Sequence, residues 1–449
     1  MRVLLISANR LIEPYPVYPV GLDYVSGALG SAHAVKTVDL NALPGDAELI
    51  DLLKTFQPEV TGIALRNIDN TDTTDPRGFM GEYGDLVRLL RRHSQARIVL
   101  GGSGFTIFPN RILSFLKADF GIIGEGERLA LLLEALEKGR DTTSLPGVIS
   151  PSQKETAAPP LEQPFARDAV TSHPYLAYYL KNGGMLNLQT KRGCPFHCTY
   201  CTYPAIEGRR MRLILPEEIA RTARSLETAG ARYLFITDSS FNADLRHSRA
   251  VARAFKEAGL SIPWGAFFTP LKPPDGYYQE MAAAGLTHVE FGTDTLCDPV
   301  LAAYGKPFTA GQAFEAHSQA VAAGLHVAHY FLLGGPGETP DTLEKTLDGI
   351  DRLEKTVSFL FCGMRIYPGT PLFSQARLEG LIDAACDLLD PVFYRSPAIS
   401  RQHILDRVRT KANGRINWVV GSGGVETAEI ISRMYQRGYS GPLWEFLIR

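Results

Sequence analysis

Three cysteines stand close together near the middle of the chain, and their spacing is the strongest chemical signal in the sequence. Cys194, Cys198 and Cys201 follow the pattern Cys-x3-Cys-x2-Cys just after a strand-like run, Met185 to Thr190. Three thiolates on one short loop can converge on a single metal centre. A fourth coordination position has no obvious protein ligand nearby, so the pattern predicts a centre that is open to a further ligand.

Two other interpretations of this cysteine loop are weaker. A structural zinc ion needs a fourth ligand, and His197 lies inside the triplet with little freedom to join the cysteines on one tetrahedral ion. Inert cysteines at this spacing, beside Gly193 and Pro195, are rarer than a cluster site. We therefore favour an iron–sulfur cluster. The other three cysteines are expected to pack in the core, although Cys362 could point inward as a hydrogen donor.

Length and composition bound the fold class and exclude some partners. The chain has 449 residues, which favours two large domains and a smaller piece over one core. Its 45% hydrophobic and 21% charged residues are typical of a globular protein. The formal net charge is -2, so no broad basic field predicts nucleic-acid binding.

The first residues favour a buried strand over a targeting segment. The apolar run Val3 to Ile6 is too short for the core of a signal peptide. No stretch approaches the roughly 20 apolar residues that a membrane helix needs, so we expect no integral membrane segment and a cytoplasmic location. In that reducing compartment, clustered cysteines indicate metal or redox chemistry rather than disulfides.

Residues 1–150 alternate between strand-like runs and amphipathic helical patterns, which predicts an α/β, Rossmann-like, doubly wound parallel sheet. Ligands of such sheets bind beyond the carboxyl ends of the strands. Two of these ends carry glycine loops, Gly101-Gly102-Ser103-Gly104 and Gly124-Glu125-Gly126-Glu127. Each loop by itself leaves ligand binding and a plain turn equally open. The predicted strands are Val3–Ser7, Val35–Leu40, Val60–Leu65, Arg97–Leu100 and Phe120–Ile123.

The rest of the chain predicts three further regions. Residues 151–180 are proline-rich and predict a surface linker. Residues 181–378 predict a partial (β/α)6 barrel of the TIM type, whose active site lies at the carboxyl ends of its strands. The cysteine loop leaves the first of these ends, and residues 379–449 predict a small, mainly helical C-terminal cap. The predicted barrel strands are Leu186–Thr190, Arg232–Thr237, Pro263–Phe268, Thr287–Gly292, His326–Leu333 and Ser358–Ile366.

The cysteine loop, Arg-Gly-Cys-Pro-Phe-His-Cys-Thr-Tyr-Cys, resembles the signature of the radical S-adenosylmethionine (SAM) enzymes. In that family three cysteines hold three irons of a 4Fe-4S cluster, and the fourth iron chelates the amino and carboxylate groups of SAM. The resemblance implies that Cys194, Cys198 and Cys201 are the catalytic metal ligands. It also implies that the backbone of Tyr200 meets the adenine.

Three more loops of the predicted barrel resemble the family in the expected order. Thr237-Asp238-Ser239 occupies the position that contacts the SAM amino group, which implies Asp238 and Ser239. The loop Gly334-Gly335-Pro336-Gly337-Glu338-Thr339 resembles the one that frames the adenine, which implies Gly335, Pro336 and Gly337. Ile366-Tyr367-Pro368-Gly369-Thr370-Pro371 resembles the loop that ends the sixth strand. Each loop alone could be an ordinary turn.

Two neighbouring segments fit the family less closely. Phe291-Gly292-Thr293-Asp294 stands where many relatives have Glu-Ser, and Asp294 is a candidate to hold the ribose hydroxyls. The basic run Arg209-Arg210-Met211-Arg212 follows the cysteine loop. One of its guanidinium groups could pair with the SAM carboxylate, and a solvated basic loop is an equal alternative.

The N-terminal domain resembles the cobalamin-binding domain that precedes the barrel in a large radical SAM subfamily. The Asp-x-His-x-x-Gly motif that supplies a histidine ligand to cobalt is absent, and His33 and His93 lack its context. Relatives often bind cobalamin without such a ligand, so cobalamin is still implied, while an empty domain stays open. The implied cobalamin contacts, from Pro16–Leu22 and the two glycine loops, are Tyr18, Gly101, Gly102, Ser103, Gly124, Glu125 and Gly126.

These resemblances imply a cobalamin-dependent radical SAM methyltransferase that acts on an unactivated carbon. The tail, through Leu389–Pro397, resembles members that act in lipid biosynthesis, so the implied substrate is a lipid or another small natural product. An electron donor such as flavodoxin or ferredoxin is the implied partner. One alternative is carbon–carbon bond formation, cyclisation or rearrangement without methyl transfer. A non-catalytic cluster or corrinoid carrier is disfavoured, because it needs neither an open iron nor an adenine pocket.

Overall fold

The computed structural model describes residues 1–152, 158–162, 165, 167, 171, 173–383, 385–421 and 423–448. Parts of the predicted linker 151–180 lie outside the described residues. Within the described ranges, none of the helices is both long and apolar enough to cross a membrane. The chain forms two large parallel sheets, one in the N-terminal part and one that carries the cysteine loop.

The N-terminal sheet has the strand order β2-β1-β3-β4-β5-β6, which confirms the predicted doubly wound fold. Strands β1 to β5 run parallel, and β6 pairs antiparallel with β5. The strands are β1 Arg2–Ser7, β2 Ala34–Asp39, β3 Val60–Ala64, β4 Arg97–Gly101, β5 Phe120–Ile122 and β6 Val148–Ile149. The helices are α1 Val20–Leu29, α2 Asp46–Phe56, α3 Met80–His93, α4 Ser103–Ile107, α5 Pro109–Leu116 and α6 Leu129–Glu137.

The second sheet has seven parallel strands in the order β17-β14-β13-β12-β11-β10-β7. Its edge strands β7 and β17 do not pair with each other, so the barrel is open, as a partial TIM-type barrel requires. The strands are β7 Met185–Leu188, β10 Tyr233–Ile236, β11 Trp264–Phe268, β12 Leu286–Asp294, β13 His326–Leu333, β14 Thr356–Cys362 and β17 Trp418–Val420. Short pairs outside this sheet are β8 Lys191–Arg192 with β9 Arg212–Leu213, and β15 Met364–Arg365 with β16 Phe393–Tyr394.

The helices of this part mostly return the chain from one strand to the next. Two of them begin with capping boxes, Thr309 with Gln312 and Thr339 with Thr342, which satisfy free N–H groups at the helix start. The helices are α7 Leu176–Lys181, α8 Tyr203–Ile206, α9 Pro216–Thr228, α10 Leu245–Glu257, α11 Tyr277–Ala282, α12 Asp298–Ala303, α13 Ala310–Ala322, α14 Pro340–Asp351, α15 Pro371–Leu378, α16 Arg401–Ala412 and α17 Gly424–Gln436.

All six predicted barrel strands are present, and the C-terminal region adds a seventh that the sequence did not predict. Strand β17 pairs parallel with β14, from Trp418 opposite Ser358 to Val420 opposite Leu360. A strand of three residues is too short to show alternation between buried and exposed positions. The C-terminal region therefore contributes to the barrel sheet itself.

One buried apolar cluster joins the N-terminal sheet to segments that follow the strands of the barrel. Side chains of the N-terminal strands, such as Leu4 and Ile63, belong to the same buried cluster as Ile366 and Tyr394 beyond the barrel. A buried ion pair crosses the same boundary, from Arg365 Nε to Asp69 at 2.8 Å. The carboxyl edges of both sheets are therefore held in a fixed relation to each other.

Candidate active site

The cysteine loop follows β7 and β8, at the carboxyl edge of the barrel. Gly193 has a φ of +92°, and a Cβ there would overlap the carbonyl of Arg210, so only glycine fits directly before Cys194. Its N–H donates to Glu207 at 3.0 Å, and the N–H of Cys194 donates to the carbonyl of Gly208 at 3.1 Å. Glu207 and Gly208, which follow the cysteine loop in the chain, thus hold its first residues in place.

The three cysteine thiols lie near one another in a largely buried place. Burial raises the pKa of Cys198 and raises that of Cys201 to about 12, and repulsion between the thiolates adds to both shifts. In the described part of the chain, no three His, Cys, Asp or Glu side chains are gathered tightly enough for one metal ion. Thiols in such a place ionise when cations compensate them, which the irons of a cluster supply. The largely buried cysteine thiols therefore fit a centre whose cations compensate their charge, as the irons of a 4Fe-4S cluster would.

A buried lysine, Lys306, completes the surroundings of the loop, and no motif in the sequence pointed to it. Its Nζ lies 2.8 Å from the carboxylate of Asp294, and its charge partly opposes the burial that raises the pKa of Cys198. The hydroxyl of Tyr200 donates to the same carboxylate at 2.6 Å. Asp294 itself has a left-handed φ of 65°, a conformation that non-glycine residues adopt mostly where function or packing holds them.

Asp238 ties the strand end to the entry of the cysteine loop. Its carboxylate accepts the N–H and the hydroxyl of Thr190, and Lys191 Nζ lies 3.2 Å away. The hydroxyl of Ser239 lies next to it and donates to the carbonyl of Gly193 at 3.4 Å. Both predicted SAM contacts thus stand beside the cysteine loop, and their role toward the SAM amino group stays a prediction.

The predicted adenine loop is held tightly by a tyrosine and a glutamate. A Cβ on Gly335 would overlap the ring of Tyr304, whose hydroxyl accepts the N–H of Gly335 at 3.0 Å. The carboxyl of Glu338 is fully buried and accepts the N–H of Gly334. Pro336 is buried, whereas Gly337 is exposed and could meet a ligand.

The carboxyl edge of the N-terminal sheet faces the cysteine loop directly. Helix α4, which begins at Ser103, packs against α8, the helix that follows Cys201. A Cβ on Gly124 would lie 3.7 Å from the carbonyl of Ile206 in α8. The structure therefore brings the two predicted ligand edges, of the N-terminal domain and of the barrel, to one mouth.

The same N-terminal edge contains a cleft lined by Arg66, Ile107 and Tyr367. The hydroxyl of Ser103, from the loop that begins with Gly101 and Gly102, donates to the carbonyl of Arg66 at 2.9 Å. Burial lowers the pKa of the Arg66 guanidinium. No sequence motif singled out Arg66.

Neither His33 nor His93 lines this cleft. His33 stands 3.2 Å from the amino group of Met1, at the opposite edge of the sheet, and His93 is exposed at the end of α3. A cobalamin bound at this edge would take no histidine from either of these positions.

Glu125, predicted as a cobalamin contact, lies buried between two arginines of the barrel. Arg192 and Arg212 donate to its carboxylate at 2.9 and 2.6 Å, and these bonds lower its pKa against the effect of burial. A Cβ on the adjacent Gly126 would lie 2.7 Å from Val25, inside the N-terminal domain. Arg212 belongs to the basic run for which a SAM carboxylate partner was considered, and here its partner is Glu125.

Tyr18, the remaining predicted cobalamin contact, is buried in an aromatic cluster. Its ring lies 5.8 Å from Tyr175 and 5.2 Å from Tyr179, and its hydroxyl donates to Asp23 at 2.9 Å.

Among the other candidates, Cys362 packs in an apolar core with Leu333 and its neighbours rather than inside the barrel. Its pKa is raised to about 12, chiefly by burial.

Two known protein families match this chain, one in the N-terminal domain and one in the barrel. Residues 188–350 match the radical SAM superfamily, and residues 13–133 match the B12 binding domain. The tryptophan 2-C-methyltransferase of Streptomyces laurentii is 25% identical over 82% of this chain and 73% of its own length. The cytidylyl-2-hydroxyethylphosphonate methyltransferase of Streptomyces wedmorensis is 24% identical over 85% of this chain and 83% of its own length.

Solved structures show the same fold over nearly the whole chain. The radical SAM methyltransferase TsrM from Kitasatospora setae, solved with cobalamin and a [4Fe-4S] cluster, superposes with a TM-score of 0.86 at 21% identity. The match covers 99% of this chain and 97% of that one. The two family matches occur in the predicted order and the cysteine triplet lies within the second, so residues 188–350 form a radical SAM domain and residues 13–133 before it a B12-binding domain.

Proposed function

We propose that this chain is a cobalamin-dependent radical SAM methyltransferase that acts on an unactivated carbon of a small molecule. One observation carries the proposal: helix α4, at the carboxyl edge of the cobalamin-type sheet, packs against α8, directly after the cysteine loop. Methyl transfer by this chemistry needs both cofactor edges at one mouth. A single-cofactor enzyme has no need of this arrangement.

When bound, the cluster and SAM would supply a 5′-deoxyadenosyl radical, and cobalamin would supply a methyl carrier. The protein's own contribution is to hold and orient these groups. Cys194, Cys198 and Cys201 would ligate three irons, while Lys306 compensates negative charge beside Cys198. Glu125 fixes the cysteine-bearing segment to the N-terminal domain through its two arginine partners. This rigidity keeps the two edges at a constant distance.

A lipid or another natural product is the proposed substrate class, and flavodoxin or ferredoxin the proposed electron donor. The clustered free cysteines support work in a reducing, cytoplasmic setting. Relatives named for methylation of tryptophan and of a phosphonate show that this family accepts chemically different substrates.

The proposal is tested by anaerobic reconstitution with iron, sulfide, hydroxocobalamin, a strong reductant and SAM that carries a deuterated methyl group. Mass spectrometry should find 5′-deoxyadenosine and S-adenosylhomocysteine, and the visible spectrum should show corrinoid that stays with the protein on gel filtration. Cys198→Ala should abolish 5′-deoxyadenosine, whereas Cys386→Ala, at a half-buried cysteine outside the triplet, should not.

Two outcomes would count against the proposal. Equal amounts of 5′-deoxyadenosine from the wild type and Cys198→Ala would contradict the radical chemistry. Radical formation without retained corrinoid would favour the alternative, carbon–carbon bond formation or rearrangement without methyl transfer.

A further inference from the structure

The inside of the barrel, below the mouth, is walled by aromatic side chains. Side chains on a strand alternate between its two faces, and the residues that flank each wall residue in sequence pack outward against the helices. The four inward-facing wall residues come from β10, β11, β13 and β14: Phe235, Phe267, Tyr330 and Phe359.

The rings of this aromatic wall contact one another in sequence around the sheet. Phe235 and Phe267 meet edge to face at 5.1 Å between centroids, and Phe267 meets Tyr330 at 6.1 Å. Tyr330 stacks on Phe359 at 4.8 Å with an angle of 17° between the planes. The wall therefore presents ring faces and edges in fixed orientations.

The space in front of this wall is open. Gly292, on the central strand β12, pairs in register with Tyr330. Apart from its two chain neighbours, no atom of the described residues lies within 4 Å of the point where its Cβ would stand. Phe267 is 38% exposed although its strand is flanked by neighbours on both sides. Large side chains usually fill the interior of a TIM-type barrel, so a hollow here is available to a ligand.

Glu290 lies below the hollow, and its carboxyl group is hydrogen-bonded within the protein. Glu290, two residues before Gly292, is fully buried and accepts hydrogen bonds from Tyr330 and from Trp444 Nε1, both at 2.9 Å. On another side, Tyr15 of the N-terminal domain packs against the cluster that contains Phe235. The acid is occupied by its own donors, so the wall recognises its ligand through aromatic contacts.

We propose that this hollow binds a planar, conjugated ring of the substrate, and that Phe267, Gly292 and Tyr330 determine this specificity. The inference rests on the proposed function, because it names the substrate class of the same site. Ring edges and faces at fixed angles favour a flat π system over a saturated ring of equal size. Gly292 leaves the space that such a ring needs.

The test compares two ligands of the same skeleton, 2-naphthol and its saturated form decahydro-2-naphthol, by isothermal titration calorimetry on the reconstituted holoenzyme. We expect 2-naphthol to bind about tenfold more tightly. Gly292→Leu, whose side chain enters open space, should weaken 2-naphthol binding at least about tenfold, and Gly292→Ala should weaken it less. Gly81→Leu, at an exposed glycine of α3 with equally open surroundings, is the matched control and should bind as the wild type does.

A second variant, Phe267→Leu, should weaken 2-naphthol binding and leave the saturated ligand unchanged. Equal binding of the two ligands to the wild type would overturn the inference, as would unchanged 2-naphthol binding by a Gly292→Leu protein with wild-type thermal unfolding. Binding requires no turnover, so the two proposals fail separately. Ring binding without methyl transfer contradicts only the proposed function, and methyl transfer without ring binding contradicts only this inference.

Discussion

The buried acids of the barrel fall into two regions that differ in what faces them. Beside the cysteine loop, Asp238 and Asp294 each face a lysine, at 3.2 and 2.8 Å. Farther from the loop, Glu290 and Glu338 face neutral donors: tyrosine and tryptophan side chains for the first, backbone N–H groups for the second. Charge is thus balanced by charge beside the cysteine loop, and by neutral groups at Glu290 below the hollow and at Glu338 in the predicted adenine loop.

The difference has a physical consequence for protonation. A buried carboxylate is costly unless a cation compensates it. Burial raises the pKa of Glu290, and it raises that of Glu338 to about 7. The cofactor side therefore carries fixed ion pairs, which hold the loop in place. Glu290 and Glu338 tend toward neutrality, and at Glu290, below the hollow, this suits an apolar ligand.

The largest expected effect comes from removing the cation on the cofactor side. Lys306→Met leaves Asp294 buried without its charged partner, and we expect the free energy of unfolding to fall by about 3–5 kcal/mol. Urea denaturation followed by tryptophan fluorescence reports on this, because Trp264, Trp418 and Trp444 all lie in the barrel or its C-terminal segment. Lys306→Arg keeps the charge and should lose much less. A loss below about 1 kcal/mol in the methionine variant would mean that the pair does not compensate Asp294.

The next largest effect is the pH dependence of stability that comes from the buried carboxyl of Glu338. Because the folded state holds the Glu338 proton up to about pH 7 and the unfolded state releases it near its ordinary value of 4.5, this group's contribution is full below about pH 4.5. It declines as the pH rises toward 7, by at most about 3 kcal/mol. Glu338→Gln should remove this part of the pH dependence, seen as urea midpoints at pH 5 and pH 8. A wild-type slope retained in the variant would assign it to another group.

A smaller effect should follow from removing one neutral donor of Glu290. Trp444→Phe deletes the indole N–H and leaves an acceptor of Glu290 unsatisfied, which costs about 1–3 kcal/mol. The loss should grow at higher pH, as Glu290 ionises. Trp418→Phe, where the indole packs against Arg415, is the matched control and should show no such pH dependence. Equal pH profiles for the two variants would show that the hydrogen bond to Glu290 is not the cause.

The smallest loss of stability is expected for an exposed ion pair, which serves as the reference for the buried pairs. Arg407 binds both carboxylate oxygens of Glu344, at 2.6 and 2.8 Å, but both side chains are more than one third exposed. Arg407→Ala should cost about 0.2–1 kcal/mol, and salt should reduce that loss. A cost as large as that of Lys306→Met would remove the contrast between the buried and the exposed pairs.

Much of the fold could be predicted because its signals are local. The runs around Val3–Ser7 and His326–Leu333 are apolar on both faces, as parallel strands covered by helices are. Strand β17 was missed because Trp418–Val420 forms a strand only where β14 offers it an edge. The same contrast holds for Glu125, whose partners Arg192 and Arg212 lie 67 and 87 residues away in the chain.

The sequence by itself determined the cysteine triplet and the order of the glycine loops, because ligand spacing on one loop is a local property. Only the tertiary structure decided which charges surround that loop. Lys306 reaches Asp294 and the neighbourhood of Cys198 through the packing of three separate segments. The hollow before Gly292 likewise exists only because side chains from neighbouring strands fail to fill it. Burial and charge balance depend on neighbours that folding brings together from distant parts of the chain.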